Sequence, residues 1–183
     1  FYKKYNVLGL MSGSSLDGLD MAYCTFKYAD RGGDLIVKDW NIEVAETIPY
    51  PDDWLERLKK APSVSGIELS QLDADLGRYF GVQTLIFLGK YDLKPDFISS
   101  HGHTVFHYPD RQLTLQIGSG AAMAAISGYP VIDDFRVQDV ALSGQGAPLA
   151  PIADKYLFGD YDIWLNLGGI ANVTVKKDDE YIA

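Results

Sequence analysis

Val7-Leu8-Gly9-Leu10-Met11-Ser12-Gly13-Ser14-Ser15-Leu16-Asp17-Gly18-Leu19-Asp20 joins two apolar segments through a connection made almost wholly of Gly, Ser and Asp. A tight hairpin needs only two or three such residues. Consecutive amides in a Gly-rich turn form a concave nest of N–H donors that suits phosphate oxygens. Ser12, Ser14 and Ser15 add hydroxyls, and Asp17 and Asp20 are suited to a hydrated Mg²⁺ beside the phosphates. The turn is not a P-loop, which ends in Gly-Lys-Ser/Thr and opens a helix. A wide hairpin loop organised by Asx-turns is the competing reading.

A shorter version, Leu167-Gly168-Gly169-Ile170-Ala171-Asn172, returns about 155 positions later. Two facing hairpins of this kind can grip a polyphosphate from both sides. Repetition at that spacing marks a duplicated domain rather than a solenoid. The expectation is one domain over residues 1–158 and, from 159 to 183, the opening hairpin of a truncated sister domain. The chain starts at Phe1 rather than Met, so further native residues are expected before it.

Around these turns the pattern alternates between strand and helix. Residues 5–11, 19–28 and 34–48 read as strands. Pro51-Asp52-Asp53 opens a short helix to about Lys60. Ile67, Leu69, Leu72, Leu76, Phe80, Leu85 and Ile86 recur near helical spacing, which predicts a long amphipathic helix over 65–89. Gly77 and Gly81 within it suit close packing against the sheet. Pro95–Ser100 predicts a short strand ending in His101-Gly102-His103, and 114–117 another. Residues 120–126 predict a small-residue helix, and Pro130–Ile132 a strand leading into Asp133-Asp134-Phe135-Arg136. Pro148 sets a helix ending near Phe158, and 161–167 with 171–175 form a hairpin. Strands followed by alternating strands and helices imply a mixed sheet flanked by helices.

Three further motifs carry chemistry. A carboxylate at the carboxyl end of a strand lies where open α/β sheets bind ligands, so Asp134 is a candidate general base. In extended backbone Arg136 shares its face and would keep it ionised, either for catalysis or as a structural ion pair. His101, His103 and His107, the only histidines, point one way in an extended segment. They read as zinc ligands of a hydrolase, as loop-organising or substrate hydrogen bonds around Gly102 and Thr104, or as residues without a role. Ser143-Gly144-Gln145-Gly146-Ala147-Pro148-Leu149 allows close backbone approach and brings a helix N-terminus near an anion, or is simply a helix entry loop.

Totals exclude several classes. Net charge is −9, with no basic cluster longer than Lys176-Lys177, which argues against nucleic acid and anionic membrane surfaces. No apolar run reaches transmembrane length. The start lacks the apolar core of a signal peptide, and a lone Cys24 fits a reducing compartment, so a cytoplasmic protein is expected.

Gly9–Asp20, Ser100-His-Gly-His-Thr104, Thr114-Leu-Gln-Ile-Gly118, Asp134-Phe-Arg136, Gly144-Gln-Gly-Ala-Pro-Leu149 and Asn166-Leu-Gly-Gly-Ile-Ala-Asn172 occur in this order across the chain. In these motifs the chain resembles the anhydro-N-acetylmuramic acid kinases, of the sugar kinase/Hsp70/actin superfamily. The resemblance implies an actin-like ATPase fold, with two ribonuclease-H-like domains around an ATP cleft. It implies a reaction in which ATP and water open the ring of 1,6-anhydro-N-acetylmuramic acid and oxygen 6 is phosphorylated, giving N-acetylmuramic acid 6-phosphate in cell-wall recycling.

By that resemblance Gly13, Ser14, Ser15, Leu16, Asp17, Gly18, Leu19 and Asp20 bind ATP phosphates with Mg²⁺, opposed by Gly168, Gly169 and Asn172. Asp134 is the base, and His103, Thr104, Arg136, Gln145 and Gly146 line the sugar side. Ser14, His103, Ser119 and Ser143 depart from the family, which usually has Thr, often Gln, Asp or Asn, and Gly there. The adenosine loops and a further acidic catalytic residue belong to the second domain, so the stretch read here is expected to be inactive alone. The implied partners are the amino sugar and ATP, with a homodimer as a further expectation. A non-catalytic nucleotide- or sugar-binding protein is the alternative, ahead of the zinc hydrolase.

Overall fold

The computed structural model describes residues 2–31, 34–167, 171–178 and 180–182. Three antiparallel strands open the chain: β1 (Tyr2–Ser12), β2 (Leu19–Arg31) and β3 (Asp34–Ile48). Two helices follow, α1 (Asp52–Lys60) and α2 (Gly66–Tyr91), and then β4 (Phe97–Tyr108), which lies parallel to β1. β5 (Leu113–Ile117) folds back antiparallel on β4, and after α3 (Gly120–Ser127) the short β6 (Val131–Ile132) pairs parallel with β4. The order β3-β2-β1-β4-β5 makes a mixed sheet flanked by helices, in agreement with the expected fold class.

Period-two burial builds the inner face of the sheet. Leu8 and Leu10 of β1, Leu19, Met21 and Tyr23 of β2, and Ile98 of β4 face the core. Against them α2 presents Leu72, Leu76, Phe80, Thr84, Phe87 and Leu88, at i, i+3 and i+4 spacing. Each fully buried Leu, Ile or Phe contributes about 1.5–3 kcal/mol relative to exposure. The stripe differs from the expected one: Ile67, Leu85 and Ile86 are exposed, and Thr84 continues the core row in their place. The Ser65 side chain caps α2 reciprocally with Glu68, which fixes where it begins.

Gly77 and Gly81 serve close packing, but against α3 rather than against the sheet as expected, because α3 lies across this face of α2. A Cβ on Gly77 would collide with the Ser119 backbone, and one on Gly81 would meet Ile126 at 2.8 Å, both at α3. β4 does not end at His101-Gly102-His103 as expected. β5 pairs with its second half, so the strand continues to Tyr108, with Gly102 at φ +73° where the β1–β4 register shifts.

Asp133 and Asp134 leave β6, and a short α4 (Val137–Ala141) not read in the sequence follows. The next helix, α5 (Ala150–Leu157), starts two residues after Pro148 and carries Pro151 in its first turn. Its Leu157 carbonyl accepts a bond from Trp40 of β3, and Phe158 packs edge-on against that ring. β7 (Ile163–Asn166), β8 (Asn172–Lys177) and β9 (Glu180–Ile182) form a separate antiparallel sheet containing the expected hairpin.

Candidate active site

The β1–β2 connection closes through a turn in which the Leu16 amide donates to the Gly13 carbonyl, with Leu16 at φ +60°. Gly18 is required by space: a Cβ there would sit 2.5 Å from the Ile48 carbonyl. Ser14, Ser15, Asp17 and Asp20 are exposed, and Ser15 donates to Asp17 at 2.8 Å. Thr47 donates to Asp20 and orients its carboxylate. Leu19 is different, because its side chain is fully buried in the core and only its backbone remains for a ligand. Gly168 and Gly169 lie outside the described residues, whereas Asn172 opens β8.

No Lys or Arg stands between Lys4 and Lys27. An anion here would be held by N–H and O–H donors, and phosphates placed beside Asp17 and Asp20 would need a cation between them. That donor set fits a nucleotide with Mg²⁺, which prefers one or two carboxylates plus phosphate oxygens.

A cleft of about 1070 Å³ runs along the sheet beside this turn. Asp20, Glu46, Arg136, the 147–150 segment, Asn166 and Asn172 line it. A smaller cavity of about 390 Å³ adjoins it, lined by Asp133, Asp134, Ser100, Gln116 and the 117–121 segment. His101 lines both. The cavity therefore gathers Asp134, and the cleft gathers Asp20, Arg136 and Asn172. Gly13–Leu19, His103, Thr104, Gln145 and Gly146 line neither.

Asp134 has the left-handed backbone (φ +62°) that Asp and Asn tolerate best. Its carboxyl is pushed above the ordinary carboxylate value, first by burial and then by the neighbouring Asp133 charge. Asp133 itself accepts from the Gly120 amide at the start of α3.

Arg136 does not pair with Asp134, contrary to expectation. Its Nε donates to His101 Nε2 at 2.8 Å, and Nη1 donates to the Gly146 carbonyl at 2.5 Å. The left-handed turn at Asp134 breaks the extended geometry that would have put the two on one face. Arg136 instead ties β4 to the 143–149 loop. Asp139 holds the same loop by accepting from the Gly146 amide, which explains the small residues there. Gln145 projects into solvent.

The three histidines serve different partners. His101 Nδ1 donates to its neighbour's carbonyl, so Nε2 is the acceptor that Arg136 needs. Tyr50 donates to Ser12 Oγ at 2.7 Å, which leaves the Ser12 proton for His103 Nδ1 at 3.0 Å. His107 bonds to Thr114. Burial pushes the Tyr50 hydroxyl up, so it stays a donor. Burial, before any other cause, holds His101 and His103 below the ordinary imidazole value and keeps them neutral. Among the described residues no three His, Cys, Asp or Glu side chains converge, and the zinc arrangement is not formed. Thr104 accepts from Gln116 at 3.3 Å.

Sequence reading missed the cavity roles of Ser100 and Gln116, although both stand in the ordered motifs. It also missed the Tyr50–Ser12–His103 chain, because nothing in spacing links residues 38 and 91 positions apart.

Among the described residues no helix is long and apolar enough to cross a membrane. A family model described as anhydro-N-acetylmuramic acid kinase matches residues 5–183. Curated relatives of that name include a Hydrogenovibrio crunogenus protein, 38% identical over 175 residues and matched across 91% of this chain and 45% of its own length. One from Salinibacter ruber is 38% identical over 186 residues, with 92% and 46% covered. One from Vibrio cholerae is 36% identical over 183 residues, with 93% and 46% covered. The chain spans about half the length of the curated relatives it matches. On the family match over nearly its whole length, with the mixed-sheet fold in agreement, this chain belongs to the anhydro-N-acetylmuramic acid kinase family.

Proposed function

We propose that the protein containing this chain is an ATP-dependent, cytoplasmic kinase. It opens 1,6-anhydro-N-acetylmuramic acid hydrolytically and phosphorylates oxygen 6, giving N-acetylmuramic acid 6-phosphate. The observation that carries this is the adjacency of two compartments with His101 as a shared wall. One holds Asp20 beside the Gly/Ser/Asp turn, and the other holds Asp134.

In this reading the amides of residues 13–18, the Ser14 and Ser15 hydroxyls and the Asp17 and Asp20 carboxylates hold the nucleotide's phosphates and Mg²⁺. Asn172 lines the same cleft, and Gly168 and Gly169 belong to the phosphate site in this reading. When bound, ATP supplies the phosphoryl group and Mg²⁺ neutralises charge that develops on it. Asp134 takes a proton from the water that attacks the anomeric carbon. The C–O bond to oxygen 6 then breaks, and the freed oxygen accepts the phosphoryl group.

Arg136 positions His101 and the Gly146 loop on the sugar side, and His103 and Thr104 sit behind that wall. Residues 1–158 constitute the first domain, and 159–183 begin a second, which supplies the rest of the cleft. This chain alone is inactive in that reading. A homodimer belongs to the same proposal, with the exposed Val82, Leu85 and Ile86 stripe of α2 as a candidate surface.

The test is incubation of the full-length protein with ATP, Mg²⁺ and the anhydro sugar, with intact mass measured first. ADP and a phosphosugar are the expected products, with no turnover from residues 1–183 alone. A full-length protein that forms neither overturns the reading. Sedimentation of the same preparation reads the oligomeric state.

A further inference from the structure

Ser100 Oγ and Gln116 Oε1 are buried, and neither has a hydrogen-bond partner. Both residues line the 390 Å³ cavity that holds Asp134. Thr84 Oγ1, the third such atom among the described residues, belongs to α2 and lines neither space. An unsatisfied buried polar atom costs about 1–3 kcal/mol, and folded proteins keep few of them. Two on one cavity wall mark a surface shaped for polar groups that a ligand brings. The volume lies in the range of small-molecule sites.

The surroundings of Gln116 fix which end of its amide is left unpaired. Its Nε2 donates to Thr114 Oγ1 at 2.9 Å and to Thr104 Oγ1 at 3.3 Å. The Thr114 hydroxyl in turn donates to the Phe106 carbonyl, so it is an acceptor toward Gln116. Both amide protons are thereby used, and Oε1 is left as a pure acceptor. Ser100 is fully buried on β4, where it pairs with Leu10, and its hydroxyl can donate or accept.

Resting on the reading that this cavity takes the sugar, we propose that Gln116 and Ser100 determine sugar specificity. Gln116 Oε1 accepts a hydrogen bond from an N–H or O–H of the acylamino sugar. Ser100 Oγ makes a second bond to the same molecule. A site that holds acceptors in place rejects analogues lacking the matching donor, because its own buried groups are then left unpaired.

The experiment uses the full-length protein and two variants, Ser100→Ala and Gln116→Met. Binding of anhydro-N-acetylmuramic acid and of ATP is measured by calorimetry, with melting temperature alongside. Each variant is expected to weaken sugar binding about 10–100-fold and to leave ATP binding within about twofold. Ser100→Ala removes an atom with no partner, so its melting temperature stays at or above wild type. That separates lost recognition from lost folding, even if Gln116→Met unfolds the β4–β5 pair. Wild-type sugar affinity in either folded variant overturns the pairing. A wild-type protein that binds the sugar but transfers no phosphoryl group overturns the kinase reading instead, and the two variants still decide this one.

Discussion

Asp134 concentrates opposing demands at one residue. Its left-handed backbone suits Asp and Asn but strains other L-residues, so Asp134→Asn is the substitution that changes charge without changing conformation. Removing a general base lowers kcat by about 10²–10⁴-fold, and that loss is expected in the full-length enzyme with ATP affinity retained. Stability moves the other way. The folded carboxyl value is raised, so folding favours the protonated form, and the contribution is lost as pH rises through that value. Near neutral pH the ionised group is therefore a burden, and Asp134→Asn should melt at or above the wild-type temperature. A large drop in melting temperature would make Asp134 a structural residue. The carboxylate was legible as the end of a strand, but the turn of Arg136 away from it toward His101 and Gly146 was not. The Arg136 reading assumed continuous extended backbone, and one left-handed residue cancelled it.

Among the elements, α2 and α3 test how a glycine acquires its meaning. In an open helix position Gly→Ala stabilises by about 0.5–1 kcal/mol through backbone entropy. Gly89 of α2 has nothing within 4 Å of a Cβ, so Gly89→Ala is expected to gain about that much. Gly77 lies on the same helix against the Ser119 backbone, which cannot swing aside as a side chain would. Gly77→Ala should lose about 1–3 kcal/mol through forced separation of α2 from α3. Thermal melts of the two variants in parallel check the contrast, and equal shifts of one sign would contradict it.

The sequence pattern showed that Gly77 and Gly81 allow a close approach, though it named the sheet where α3 is the neighbour, and it gave the position of nearly every strand and helix. It misassigned Leu85 and Ile86 to the core because helical spacing alone does not say which of two neighbouring stripes faces the sheet. It also ended β4 at His103, since the pairing that extends the strand comes from β5, ten residues further on.

For the whole molecule, acid sensitivity follows from two histidines buried as neutral groups. His101 is held low by burial and by the Arg136 charge, against the pull of its bond to Gly102. His103 is held low by burial and by His101, against its bond with Ser12. The unfolded chain takes up these protons near the ordinary histidine value of about 6.5, whereas the folded chain resists until lower pH. Stability is thus complete above about 6.5 and is lost as pH falls from there through the lowered folded values.

Overall charge opposes this trend, because the −9 of neutral pH shrinks on acidification and self-repulsion relaxes with it. The local effect wins, since it acts on buried groups that salt and solvent barely screen. The melting temperature of the full-length protein is therefore expected to fall between pH 7.5 and pH 5.5. His103→Gln retains a hydrogen-bonding side chain beside Ser12 but has no proton to take up, so it should lose part of that fall. An identical fall in the variant would assign the proton uptake to groups other than His103 and remove the Tyr50–Ser12–His103 chain from the account of acid sensitivity.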